Sequence, residues 1–206
     1  MSTITRKQKE KENRRDDILK AAEKVMQANG LHGLSIDLIA SETELAKGTI
    51  YLYFKSKEEI LSFLSIKARN KLYNEFLKVR KSENAPIEKL KLISKANYNF
   101  YKKYPLYHDL VSLYEVNNTL TETEEMYLSS DKISKLVSDI AYEAADNGTL
   151  NPNLNPLHLT MILWGISVGV VQLMKVKGLI IKEKMDIEEQ ELLNTFLNLL
   201  DNGLKK

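Results

Sequence analysis

The chain has 206 residues, 43% hydrophobic and 28% charged, with 30 Lys and Arg against 28 Asp and Glu. That balance describes a soluble globular chain and excludes a disordered one. The absence of cysteine excludes disulfides, zinc ribbons and thiol catalysis, and a net charge of +2 is too small to identify a nucleic-acid partner by itself.

The N-terminal stretch MSTITRKQKEKENRRDD is charged and lacks an apolar core, so it fits neither a signal peptide nor a membrane span. The expected location is cytoplasmic. Between Arg6 and Arg15 six basic residues stand against two acidic ones. Alone this is a solvated terminus; beside a DNA-reading element it is a phosphate-contacting arm. Ile18, Ala22, Val25 and Met26 recur at helical spacing and predict a first helix over about 11–29, closed by Gly30. Leu31 and Leu34 continue the small core.

Ser35 is an N-cap candidate, and Ile36, Leu38, Ile39 and Ala40 give a short apolar face that Glu42, Thr43 and Glu44 interrupt. A second short helix begins near Ala46, with Leu45, Ile50 and Phe54 at core positions and Lys47, Thr49, Tyr51 and Tyr53 left to face outward. Ser56 and Glu59 have the spacing of a capping box opening the next helix. Two short helices, the second polar and basic, fit a helix-turn-helix whose second helix enters the DNA major groove.

The run over 15–61 resembles the DNA-binding domain of the TetR family of bacterial ligand-responsive transcription regulators. The residues that carry the likeness are Ile18-Leu19, Ala21-Ala22, Gly30, Ser35, Ile39-Ala40, Lys47-Gly48-Thr49-Ile50-Tyr51, Tyr53-Phe54 and Ser56-Lys57-Glu58. The family commonly has Gly in the turn, where this chain has Glu44, a departure that costs turn stability. The resemblance implies DNA-contacting roles for Ser35, Lys47, Thr49, Tyr51, Tyr53 and Lys57. Their chemistry agrees: Ser35 and Lys57 open helices, Lys47 suits a guanine edge or a phosphate, Thr49 a base or a phosphate, and Tyr51 and Tyr53 phosphate or sugar. Tyr53 has a second reading, as a ring packed in the small core. Gly48 permits close backbone approach to DNA. Asp37 would repel phosphate, so it either caps its helix or accepts from a cytosine amino group. A two-fold dimer on a palindromic double-stranded operator is expected, because one module reads too few bases.

Beyond Ser56, a long helix carries Leu61, Leu64, Ala68, Leu72, Phe76 and Val79 and runs out of the DNA-binding module. Pro86 opens another helix, Tyr104-Pro105 breaks it, and Leu106, Leu110, Leu113 and Tyr114 suggest a shorter one. Thr121 and Glu124 form a second capping-box pattern before an amphipathic helix with Met126, Ile133, Leu136, Val137, Ile140, Ala141 and Ala144. A loop over 146–155 precedes Pro156 and the segment 157–174, apolar nearly all round, and a last helix is expected over 186–204. No strand pattern appears, so the chain reads as all-α with about nine helices: residues 1–55 form the helix-turn-helix domain with its basic arm, and residues 56–206 the ligand-sensing and dimerisation domain.

His158, Thr160 and Gln172 interrupt the apolar segment, and a span wants about 20 apolar residues, so no membrane association is expected. The segment reads either as a central core helix or, preferably, as one buried between its own domain and a partner subunit. Gly165 and Gly169 cost about 1 kcal/mol each relative to Ala, which makes sense where another helix or a ligand approaches closely. In the resembled family the last two helices of each subunit form a four-helix dimer interface, and Gly148, Asn155-Pro156 and Gly165 match that region. Tyr98, Tyr101, Tyr114, Trp164 and Gln172 are candidate linings of a pocket for a small, mainly apolar effector; core or rim packing is the other reading of each. Repression relieved by ligand is implied by the resemblance.

An enzyme is the rival class. His32, His108 and His158 are far apart with no carboxylate at metal-ligand spacing, and no phosphate-cradling Gly loop, nucleophile elbow or paired carboxylates are present. No catalytic residue, metal or cofactor is therefore expected. A further alternative is a small-molecule-binding or scaffold protein that keeps the fold without binding an operator.

Overall fold

The computed structural model describes residues 6–116 and 122–206. Among them are nine α-helices: α1 (Arg6–Asn29), α2 (Ile36–Thr43), α3 (Lys47–Tyr51), α4 (Lys57–Arg80), α5 (Pro86–Lys103), α6 (Pro105–Val116), α7 (Glu124–Asp146), α8 (Pro156–Met185) and α9 (Glu189–Leu204), with a 3₁₀ turn at Leu31–Gly33. The chain is all-α, and it divides into two compact units. The first takes the chain up to Ala68 together with Leu106–Met126; the second takes Arg69–Pro105 and Tyr127–Lys206.

In the first unit Ile18, Ala21, Ala22, Val25 and Met26 of α1 are buried with Leu34, Ile39, Ala40, Ile50 and Phe54. Helix α1 begins at Arg6, five residues before the expected start. Strong helix formers and an Arg6–Glu10 ion pair at 3.0 Å one turn apart carry it outward, so the basic arm is helical. The Arg15 guanidinium lies over Phe54 (4.8 Å) and Phe63 (4.5 Å), whose rings meet edge-on. Glu23 ties three helices together, accepting from Lys67 of α4 at 2.7 Å and from the Tyr107 hydroxyl of α6 at 2.9 Å. Burial, then this hydrogen bond, raises the Tyr107 pKa above its ordinary value.

The second unit is built on Leu72 and Phe76, on Leu90, Ile93 and Phe100 of α5, and on the inward faces of α7, α8 and α9. Arg80 holds Glu143 through both guanidinium nitrogens. Lys91 and Lys205 share Glu88 and Asp201, fastening the end of α9 to the start of α5. The side chain of Asn155 caps α8, accepting from the N–H groups of Leu157 and His158.

Three local readings are corrected. Helix α8 continues to Met185, and Asp186 ends it in the left-handed region (φ 55°), so α9 starts at Glu189. The Glu188 and Glu191 side chains form the capping box that opens α9. At the start of α4 the Ser56 hydroxyl accepts from Glu59 N–H as expected, while the Glu59 carboxylate reaches the N–H of Lys55, one residue further back. Of the other predicted box, Thr121 lies outside the described residues; α7 begins at Glu124, and the Thr123 hydroxyl accepts from Met126 N–H.

Candidate nucleic-acid interface

The interface is set by how α2 hands the chain to α3. The Ser35 hydroxyl accepts from Leu38 N–H at 3.3 Å and caps α2. At the other end Glu44 adopts φ 54° and ψ 31°, and Leu45 N–H reaches back to the Ala40 carbonyl at 3.0 Å. This is the left-handed helix exit that a glycine usually supplies, made here by a glutamate. Ala46 then starts α3, and buried Ile50 and Phe54 fix its inner side.

With that side fixed, the other residues of α3 must face outward. Lys47 and Gly48 are exposed, Thr49 is half-buried and Tyr51 is 53% exposed. Ser35, Tyr53 and Lys57 are half-buried. A Cβ added to Gly48 would meet nothing within 4 Å, so its backbone is open to an approaching surface. All seven sequence-predicted residues fall within the first compact unit.

Lys47 is engaged by Asp37 of α2 in an ion pair. The hydrogen bond and charge of Asp37 raise the lysine pKa above its ordinary value. Lys24 of α1 reaches Glu42 at 2.9 Å and fastens α2 to α1. Beside the end of α3, Lys7, Glu10, Lys11, Asn13, Arg14 and Asp17 of α1 line a groove of about 660 Å³ with Leu52 and Tyr53. Sequence reasoning missed Leu52, which is 77% exposed at the end of α3, and Leu38, which is 41% exposed on α2. An exposed leucine leaves no periodicity signal, since the pattern counts it as core.

The candidate effector residues are dispersed. Tyr98 is buried, and its ring lies 6.3 Å from that of half-buried Tyr101. Burial first, then the Glu189 carboxylate, raises the Tyr98 pKa. Trp164 is half-buried on α8, Gln172 is exposed on the same helix, and Tyr114 belongs to the first unit. Within the second unit Asn97 is buried with its amide nitrogen unpartnered, and the Ser167 hydroxyl donates to that of Ser94 at 3.2 Å. Among the described residues no three His, Asp or Glu side chains gather as metal ligands.

The sequence model for bacterial regulatory proteins of the tetR family matches residues 18–62, the segment that contains α2, the turn and α3. Over that segment the chain is similar to the DNA-binding part of the TetR family. A fatty acid metabolism regulator protein of Bacillus subtilis is 33% identical over 91 residues, 44% of this chain and 47% of that protein, so the aligned segment spans about half of its relative. Among solved structures, the transcriptional regulator FadR from Bacillus subtilis in complex with stearoyl-CoA superimposes with a TM-score of 0.71 at 22% identity, covering 91% of this chain and 98% of that one. AibR in complex with isovaleryl coenzyme A and operator DNA gives 0.66 at 16% identity, over 90% of this chain and 97% of that one. At these identities the structural likeness shows a shared fold over about nine-tenths of the chain.

Proposed function

We propose that this chain is a TetR-family ligand-responsive transcriptional regulator, a repressor that leaves a palindromic operator when a small, mainly apolar molecule binds its C-terminal domain. The observation that carries the reading is the outward row of Lys47, Gly48, Thr49 and Tyr51 on a helix whose inner residue, Ile50, is fully buried. Residues 1–55 act as the DNA-binding domain and residues 56–206 as the ligand-sensing and dimerisation domain. Ser35, Lys47, Gly48, Thr49, Tyr51, Tyr53 and Lys57 contact DNA, and the helical basic arm adds phosphate contacts through Lys7, Lys11 and Arg14. The protein works in the cytoplasm, on the nucleoid, as a regulator and not as an enzyme.

A homodimer forms through α8 and α9. Helix α8 is long and apolar enough to cross a membrane by length and composition, with 33% of its most apolar window buried. Its outer side exposes Met161, Ile162, Leu173, Val176 and Leu179 around Gly165 and Gly169, and a Cβ on either glycine would meet nothing within 4 Å. A second copy covers that side, because two recognition helices are needed for a palindromic site.

The effector is of the acyl-CoA class, and its acyl chain is the mainly apolar part that the C-terminal domain takes up. Two structures that share the fold, bound to stearoyl-CoA and to isovaleryl coenzyme A, support this class. Within the second unit Tyr98, Tyr101, Trp164 and Gln172 are the proposed lining, and the unpartnered Asn97 amide is a buried donor suited to a carbonyl. Ligand shifts the dimer towards a form whose recognition helices no longer meet successive major grooves. Titrating the operator complex with stearoyl-CoA and with isovaleryl-CoA tests the effector class. Release at micromolar ligand is expected, and a complex indifferent to both thioesters contradicts it.

A further inference from the structure

The Asp37–Lys47 ion pair joins α2 to α3 with its side chains 65% and 60% exposed, respectively. An ion pair this open to water contributes little to stability. As the second residue of α2, Asp37 favours the helix dipole, but that role needs no partner on α3. A carboxylate on a phosphate-facing surface also weakens binding to any DNA unless it meets a donor. Stability and non-specific affinity therefore leave the pair unexplained.

Base-edge chemistry supplies the missing role. In the major groove the hydrogen-bond donors are the N6 amino group of adenine and the N4 amino group of cytosine. Adenine sets its N7 acceptor beside the amino group, which suits an amide and repels a carboxylate. Cytosine carries no such neighbour, and its paired guanine offers two adjacent acceptors, O6 and N7. An acceptor side chain touching a donor side chain thus has the complement of a C·G pair. The ammonium has three donors, so it reaches guanine without leaving Asp37. Lys47 is the first residue of α3, the end of a recognition helix that approaches base edges, and neighbouring Gly48 leaves the approach open.

We propose that Asp37 and Lys47 act as one unit that reads a single C·G base pair in each half-site. The Asp37 carboxylate accepts from the cytosine amino group, and Lys47 donates to guanine O6 and N7. The inference rests on the operator-binding reading above.

The test is selection of the full-length protein on random duplexes, followed by anisotropy titrations of the selected site and its single-base-pair variants with wild type, Asp37→Ala and Asp37→Asn. Asp37 is exposed, so unchanged helix content is expected for both variants, with Tm lowered by no more than a few °C through the lost charge at the start of α2. For wild type, replacing one C·G pair per half-site by T·A weakens binding roughly tenfold or more. In Asp37→Ala that penalty shrinks at this pair alone, to the part that Lys47 supplies at guanine, and in Asp37→Asn the preference there moves towards adenine. If wild type selects a site but Asp37→Ala changes affinity by the same factor on every sequence, the carboxylate only tethers Lys47 and the inference is overturned while the operator reading stands. If wild type selects no site, both fall.

Discussion

At the residue scale the decisive contrast is between side chains held inward and those left outside. Because Lys47 and Tyr51 are exposed, truncating either leaves the core intact. Lys47→Ala and Tyr51→Ala are each expected to weaken operator binding by about 1–2 kcal/mol while Tm stays within about 2 °C, measured by anisotropy and thermal melting. Lys47 carries a raised pKa in the folded protein, so its charge and its pairing are complete below the ordinary lysine value and are lost only as the pH climbs through the raised one. The ratio of wild-type to Lys47→Ala affinity should therefore be equal at about pH 6 and about pH 9; a ratio that falls between them counts against a cationic contact. Glu44 holds a left-handed conformation that disfavours a side chain. Glu44→Gly should raise stability by about 1 kcal/mol in a urea melt, without changing the bases preferred.

These positions were legible in the sequence to different degrees. Ser35, Ile50 and Gly30 announce themselves through capping, periodicity and helix termination, all local rules. The partnership of Asp37 with Lys47 spans the turn and depends on how two helices cross, which no local rule encodes. Leu52 was hidden for another reason: apolar residues are assumed to be inside, and it is one of the solvent-facing exceptions.

Elements behave similarly. Pro86 and Pro156 mark helix starts because a missing N–H costs nothing there, and both open helices as read. The apolar body of α8 is legible in the sequence as 157–174 and its end is not, because the lysines at 175, 177, 182 and 184 interrupt the apolar pattern beyond it. Its outer side makes a direct prediction. Gly165 and Gly169 are helical, have ordinary φ and meet nothing within the chain, so their cost of about 1 kcal/mol each finds its reason outside it. Gly165→Leu should shift the dimer to monomer in sedimentation velocity while helix content is retained, and Gly165→Ala should raise the helicity of the monomer. A Gly165→Leu variant that sediments as the wild-type dimer would remove α8 from the interface. The candidate effector residues were the least legible group: aromatic side chains at helical spacing serve a core and a pocket equally well, and burial separates only Tyr98 clearly from exposed Gln172.

For the whole molecule, DNA binding is an electrostatic as well as a geometric claim. Each phosphate neutralised adds about 0.9 to the slope of log affinity against log salt. Replacing Lys7, Lys11 and Arg14 together by alanine should therefore lower that slope by about 2–3. A slope unchanged in this variant would make the helical arm a solvated extension. Four acidic residues near the interface are paired, Asp37 with Lys47, Glu42 with Lys24, Glu10 with Arg6 and Asp17 with Arg14. The most direct test of the central claim is a mobility shift of the purified protein on the DNA flanking its own gene, with Lys47→Ala and Tyr51→Ala in parallel. The account predicts a retarded band with two chains per duplex that both variants weaken and that high salt abolishes. Failure to retard any flanking fragment, followed by failure of random-sequence selection to find a preferred site after bound ligand is stripped by denaturation and refolding, would contradict it.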